Sequence, residues 1–435
     1  MKIGLMALSG IRAENPTLNE LGMTLPGFVE RKKIVASMPS LSLLTLAGLT
    51  PEGHEMRYFE IPGAVDEVNI PEDLDLAAIS SFSARIKDAY RLSEKLRKRG
   101  IRTVIGGLHA SRMPEEAAQH CDAVVVGEGE PVWAGMISDA AHGILKPRYG
   151  ALNSSFDLTK APMPAYGLLD VETYNRLPVQ TSRGCPFVCE FCASSILLTN
   201  RYKQKPVEKV ILEIRRIKEF WKEPFIEFAD DNSFVNKPYW KELIPKLAQE
   251  KVQWFTETDV SLADDMELLA MMAGSGCRQV LIGLESPNAV GLEGLEIKTN
   301  WKRRRFDGYV EAVRKIQSAG ITVNGCFILG MDAHGPDIFD AVHRFVRESE
   351  LYEVQITLWT PFPGTPLYQR LRREGRLLHE DAWEKCTLFD VNFRPAKMTV
   401  RELEQGFIGL AEKLYNQDFR NWRRENFKAK YALRN

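Results

Sequence analysis

Three of the seven cysteines fall within one short stretch, TSRGCPFVCEFCAS, at Cys185, Cys189 and Cys192. Gly184 and Pro186 make this a tight loop rather than a helix. Thiolates on a short loop can converge on one metal centre. A structural zinc ion would want a fourth ligand. The nearest histidines in sequence are His142 and His334, far from the loop. An iron–sulfur cubane is usually held by four cysteines. If three hold it, one iron keeps an open position, the usual mark of a catalytic metal. A zinc site or incidental buried thiols stay open at this point.

The elements that must position such a loop alternate along the whole chain. The 435 residues, 44% hydrophobic with net charge −1, exceed one ordinary core and suit two or three domains. The near-neutral charge argues against a general polyanion binder, so no nucleic-acid partner is expected. No signal peptide and no membrane span are read, and a cytoplasmic protein is expected. An odd, unevenly spaced cysteine set there suits metal or redox chemistry rather than disulfides.

Residues 1–145 read as a doubly wound parallel sheet. KIGLMAL, EMRYFEI, LDLAAIS, RTVIGG and DAVVVGEGE are strand-like, and LSLLTLAGL and DAYRLSEKLRKRG are helical. The second helix puts Ala89, Leu92 and Leu96 on one face and Gly100 just past its end. Residues 146–175, rich in Pro and Asn, read as a linker. From 176 to 365 six strand candidates (PVQTS, FIEFA, VQWFTET, QVLIGLE, TVNGCFILG and VQITLWT) mostly alternate with helices, giving a partial (β/α)6 barrel. The first of those helices spaces Val210, Ile211, Ile214, Ile217 and Trp221 at helical period. Residues 366–435 read as a mainly helical extension. Its basic-aromatic end is read as a solvated face with Phe419, Trp422 and Phe427 turned inward. The cysteine loop follows the first barrel strand and so lies at the mouth where barrels keep active sites. Asp230, Asp231, Glu257, Asp259 and Glu285 close later strands, and Gln355 sits on the sixth. For Asp231 and Asp259 a helix N-cap is an equally good reading.

CPFVCEFC resembles the CxxxCxxC signature of the radical S-adenosylmethionine (radical SAM) enzymes, including aromatic Phe191 before the last cysteine. The resemblance implies that Cys185, Cys189 and Cys192 bind a 4Fe-4S cluster whose fourth iron chelates SAM. It implies cleavage of SAM to methionine and a 5′-deoxyadenosyl radical, with electrons from an external donor such as flavodoxin or ferredoxin. It makes Phe191, Asp230, Glu257, Glu285 and Gln355 candidate SAM contacts. Residues 70–135 are similar to the cobalamin-binding domain that precedes many such barrels. Carried over by position, Ser80, Ser81, Phe82 and Ser83 lie by the nucleotide tail. Gly106 and Gly107 let the backbone approach the cofactor, and Gly127, Glu128, Gly129 and Glu130 line its far edge. The DxHxxG motif that supplies a cobalt ligand in many cobalamin domains is missing: IRAENPTLNELG follows the first strand. Cobalamin is therefore expected without a protein imidazole, and His109 reads as an ordinary loop histidine.

The resemblance implies a cobalamin-dependent radical SAM enzyme, with methyl transfer to an unactivated carbon as the leading reaction. A cyclase or rearrangement enzyme is the alternative. A cobalamin sensor or Fe–S electron carrier is the alternative of another class. A methylthiotransferase would need further N-terminal cysteines, and only Cys121 lies there. A small molecule, lipid or peptide substrate all fit.

Overall fold

The structure is a computed structural model that describes residues 1–25, 38–193 and 201–431. Ser194, at the end of the cysteine stretch, and the last four residues of the basic-aromatic tail lie outside the described residues.

The first sheet contains β1 (Lys2–Leu8), β2 (Glu55–Glu60), β3 (Leu76–Ser81), β4 (Arg102–Gly106), β5 (Ala123–Val126) and β6 (Arg148–Gly150). The strands are parallel throughout, in the order β2-β1-β3-β4-β5-β6. Helices cover both faces, which is why β5 is a continuous apolar run, Ala-Val-Val-Val, buried along its length. Those helices include α1 (Leu41–Leu49), α2 (Ile86–Lys98), α3 (Leu108–Arg112) and α4 (Trp133–Ala141). Helix α2 buries Ile86, Ala89, Leu92 and Leu96, and Gly100 follows it at φ +81°, as its spacing predicts. The stretch read as a linker is not a free tether. It supplies β6, and further on it packs on α1 so closely that a Cβ at Gly48 would lie 2.1 Å from the Met163 carbonyl oxygen.

The second sheet contains β7 (Leu177–Val179), β8 (Phe225–Phe228), β9 (Gln253–Thr258), β10 (Cys277–Glu285), β11 (Thr322–Leu329) and β12 (Glu353–Leu358). Each strand pairs in parallel with the next in chain order. Strands β7 and β12 do not pair, so the barrel is open. Its outer layer includes α5 (Val207–Lys218), α6 (Lys237–Glu250), α7 (Met266–Gly274), α8 (Trp301–Arg305), α9 (Tyr309–Ser318) and α10 (Ile338–Ser349). Alternation along each strand decides which residues face the helices. Phe228 of β8 and Trp254 of β9 meet Trp240 of α6, with ring centroids 5.2–5.8 Å apart. The alternate residues Glu227, Phe255 and Glu257 consequently point into the barrel.

The chain ends in α11 (Pro366–Arg373), α12 (Val400–Tyr415) and α13 (Gln417–Lys430). Phe419 and Phe427 are buried and Trp422 packs beside them, as expected. Arg423, in the middle of the basic run, is not solvated. It is 1% exposed and donates to the Leu414 and Tyr352 carbonyl oxygens and to Glu353 Oε1 (3.0 Å) at the start of β12. Among the described residues no helix is long and apolar enough to cross a membrane.

Arg423 therefore pins α13 to the barrel. Arg423→Ala strands the bonded carbonyls and carboxylate and is expected to cost roughly 2–3 kcal/mol. The exposed Lys428→Ala is expected to change little, a contrast that a urea titration followed by tryptophan fluorescence measures.

Candidate active site

The cysteine loop leaves the end of β7 through a two-residue ribbon. Ser182–Arg183 pairs antiparallel with Lys203–Gln204, and the cysteines lie on the excursion between them. Gly184 opens that excursion at φ +89°, a conformation that favours glycine. Over its described residues the loop is held by backbone bonds, Glu190 N to the Leu295 carbonyl oxygen (3.0 Å) and Ile297 N to that of Val188 (2.9 Å), and by surrounding carboxylates.

Asp230, just past β8, accepts from Thr181 N (2.8 Å), Ser182 N (2.9 Å), Ser233 Oγ (3.1 Å) and the Thr181 hydroxyl. Asp231 accepts from Gly184 N (2.7 Å). Burial pushes both carboxyls above the usual aspartate value. Glu296 is 1% exposed and receives Val188 N (3.2 Å), Lys298 N (3.1 Å), Thr299 N (2.7 Å) and Thr299 Oγ1 (2.6 Å). Burial raises its pKa, but those donors outweigh it and bring the value down to about 2. Glu190, between the second and third cysteines, is held in a fork by Arg370 of α11 at 3.0 and 3.2 Å. Phe187 leans on Trp301 at 4.6 Å.

Cys185, Cys189 and Cys192 are half-buried or buried, and the neighbouring thiols help raise the pKa of Cys185 and of Cys189. Burial pushes Cys185 up to about 11 and raises Cys189 as well. Metal loading must therefore release protons. Among the described residues no three ligand-type side chains close around a single ion.

Glu285 ends β10 at φ +63°, where the register with β11 shifts. Its Oε1 accepts from Lys302 Nζ (2.8 Å), which also bonds the Gly283 carbonyl oxygen (2.8 Å). Burial disfavours the Lys302 ammonium, but Glu285 and Cys189 outweigh it and raise its pKa. A Cβ at Gly283 would sit 2.3 Å from Glu285 Oε1 and displace the carboxylate from its place. Deeper in the barrel, Asn324 of β11 is fully buried with neither end of its amide hydrogen-bonded. Cys326 of β11 and Gln355 of β12 are register partners one layer above. Glu257 is lifted to about 8 by burial and by the nearby Glu227 and Asp231 charges, so it is neutral at pH 7. The lumen thus presents Glu257, Glu285 and Gln355 from three strands. Phe191 is half-buried and packs against the barrel core. The acceptor positions of Asp230 are taken up by Thr181, Ser182 and Ser233 at the loop entrance. Asp259 caps the next turn through Ser261 N (2.8 Å) and receives Asn232 Nδ2 (2.7 Å), as the N-cap reading expects.

In the first sheet the strand order reverses between β1 and β3, and a ligand crevice forms beyond the strand ends at such a point. Phe82 stands there 55% exposed, unusual for a large apolar side chain. Ser80 is half-buried beside Gly107, whose φ of +104° turns the chain from β4 into α3 after Gly106. Arg85 knits the loops after β1 and β2 by donating to the carbonyl oxygens of Ser9, Ile61 and Gly63. This mouth, with an exposed aromatic and a glycine backbone, fits a large flat cofactor. Several expected contacts belong to the protein instead. Ser81 Oγ bonds the Phe82 carbonyl oxygen (3.0 Å), and Ser83 Oγ pairs with His109 Nδ1 (3.1 Å). His109 is fully buried, with Nε2 on Glu116 (3.4 Å), so it is no cobalt ligand. Gly127 is glycine because a Cβ would lie 2.4 Å from the Ala151 carbonyl oxygen, and Gly129 backs onto Leu46. The Glu128 carboxylate is taken by Arg183, Lys203 and Phe156 N. Burial raises its pKa, but these donors outweigh it and keep it ionised.

Comparison with known proteins agrees with this geometry. The family model described as the radical SAM superfamily matches residues 179–346, and that of the B12 binding domain matches residues 31–135. A domain of unknown function (DUF4070) matches residues 365–434. Bacteriochlorophyllide d C-12(1)-methyltransferase of Chlorobaculum tepidum is 29% identical over 87% of this chain and 83% of its own length. Hopanoid C-2 methylase of Rhodopseudomonas palustris is 26% identical over 80% of this chain and 67% of its own length. The fold is shared with the radical SAM methyltransferase TsrM from Kitasatospora setae, solved with cobalamin and a [4Fe-4S] cluster bound. The TM-score is 0.69 at 14% identity, covering 96% of this chain and 89% of that one. With both domains in tandem, the chain belongs to the cobalamin-dependent radical SAM enzymes.

The sequence did not disclose Glu296, Lys302, Arg370 or Asn324. Glu296 lies in an aperiodic stretch and Lys302 in a basic run that reads as solvated surface. Glu296→Gln replaces an acceptor with a donor facing the Thr299 N–H and hydroxyl. It is expected to cost about 2 kcal/mol locally and to lower iron content after reconstitution, measured by iron and sulfide assay. The folded state holds a proton on Glu257 up to about pH 8, whereas the unfolded chain releases it near the ordinary glutamate value. Stability of the metal-free protein is therefore expected to fall as pH rises between those values. Glu257→Gln should flatten that fall, as read by thermal melts across pH 5–9.

Proposed function

We propose that this enzyme transfers the methyl group of SAM to an unactivated carbon of its substrate. The observation that carries the reading is the pairing of a three-thiol loop over a polar lumen with a second, glycine-opened mouth in the same chain. The names of the curated relatives, a bacteriochlorophyllide methyltransferase and a hopanoid methylase, support methyl transfer. When bound, the cluster and SAM supply a carbon-centred radical, and cobalamin supplies a transferable methyl group.

The chain's own contribution is binding, orientation and exclusion of water. Cys185, Cys189 and Cys192 would hold the cluster and leave one iron open. Lys302 fixes one oxygen of Glu285 and places a permanent positive charge beside Cys189. Neutral Glu257 can donate a hydrogen bond where an ionised carboxylate could only accept one. Asn324 offers a donor and an acceptor to the ligand from the floor of the lumen. Phe82 and Gly107 leave an apolar, unobstructed face for cobalamin. The one-electron supply would come from an external donor such as a flavodoxin or ferredoxin in the cytoplasm. The substrate is a small molecule, lipid, tetrapyrrole or peptide with a polar group for the lumen.

The test is anaerobic reconstitution followed by reaction with SAM carrying a deuterated methyl group. S-Adenosylhomocysteine and 5′-deoxyadenosine should both accumulate, and the label should enter the product. Cys185→Ala, Cys189→Ala or Cys192→Ala should each abolish deoxyadenosine. Deoxyadenosine without S-adenosylhomocysteine would leave a radical SAM enzyme that is not a methylase.

A further inference from the structure

The turn that follows β5, Gly127-Glu128-Gly129-Glu130, belongs to the first domain but reaches the second. Arg183 Nη1 donates to Glu128 Oε1 (2.7 Å) and Nη2 to Glu130 Oε1 (2.8 Å). The remaining Arg183 donors are steadied by Gln180 Oε1 at 3.0 and 3.3 Å. Lys203, the register partner of Arg183 across the ribbon, donates to the same Glu128 oxygen. One buried carboxylate thus holds both ends of the excursion that carries the three cysteines. Its second oxygen receives Phe156 N, in the segment that joins the two sheets.

Side chains of Glu128 and Glu130 are 3% and 8% exposed, so each carboxylate depends on its cationic partners. Such a network has one low-energy arrangement. It resists sliding in a way that a solvated interface between domains does not. Elsewhere the first sheet is tied through the C-terminal extension, by Trp383 Nε1 to Glu116 (3.1 Å) and Lys87 to Glu384 (2.8 Å).

We propose that the Glu128–Glu130 turn is a clamp that sets the position of the cobalamin domain relative to the cysteine loop, with Glu128 as its positioning residue. The inference rests on the function proposed above, because only an enzyme that passes a group between two cofactors needs their separation fixed. Glu128 acts through Arg183 and Lys203, which take up its carboxylate together with Phe156 N.

The test compares wild type with Glu128→Gln, which keeps size and removes charge, and with Glu130→Gln. In the metal-free proteins, hydrogen exchange should quicken in Glu128→Gln at residues 181–184, 203–205 and 154–157 and stay unchanged over α12. In the loaded proteins, pulsed EPR between cob(II)alamin and the reduced cluster should show a defined coupling in wild type and a broadened one in Glu128→Gln. Iron and cobalamin content should be equal in the two. Deoxyadenosine formation should hold within a few-fold, while label transfer to product falls about ten- to a hundred-fold. Glu130→Gln, which leaves the Lys203 contact, should fall between the two. Unchanged exchange in Glu128→Gln, or a wild-type coupling distribution in the loaded variant, overturns the clamp. A wild-type protein that loads cluster but no cobalamin instead overturns the function on which the clamp rests, while the exchange measurement still tells whether the contact is a tie.

Discussion

The excursion that carries the three cysteines must be held in place by carboxylates brought to it from other parts of the chain. Everything around the mouth of this barrel follows from that constraint. Five acids on four different parts of the chain hold the excursion, three by accepting backbone N–H groups and two through basic side chains. Asp230 and Asp231 hold the entrance, Glu296 holds the middle, Glu128 holds both ribbon strands through their basic partners, and Glu190 of the loop itself reaches Arg370. Acids suit this task because one carboxylate accepts several N–H groups at once. Burying so many carboxylates is tolerable only when each is matched with a donor or cation, and the matching fixes the loop in place.

The lumen follows the opposite rule. Asn324 has neither amide end bonded, Glu257 is kept neutral by burial and neighbouring charge, and Gly283 leaves room only for the Glu285–Lys302 pair. Unmatched polarity of this kind is costly in a closed core. It persists where a ligand completes it. The carboxylates around the loop are matched with donors, whereas the inner surface keeps Asn324 unmatched. The same division appears in the first sheet, where Arg85, Ser83 and His109 are internally bonded while Phe82 faces outward.

The extension is a structural partner of both domains. Arg370 reaches the cysteine loop, Arg423 reaches the base of β12, and Trp383 stands edge-on to buried His109 at 5.1 Å. A run of arginines and aromatics looks solvated in one dimension, because charge pattern alone does not say which guanidinium meets carbonyls when the helix docks.

The sequence by itself determined the architecture and the cysteine site. Apolar runs ending in glycine impose a parallel sheet, helical periods between them impose the outer layers, and the CxxxCxxC spacing puts three thiols on one loop whatever surrounds it. It also marked Glu285, because strand ends in a barrel converge. Only the tertiary structure decided what each polar residue does. Asp230, Glu128, Ser83 and Gly127 have the types and positions of ligand contacts, yet each is taken up by a protein group brought close by folding. Glu296, Lys302, Asn324 and Arg423 matter because of partners far away in sequence. A residue's type limits which hydrogen bonds it can make, but which partner arrives first is settled by packing across the whole molecule.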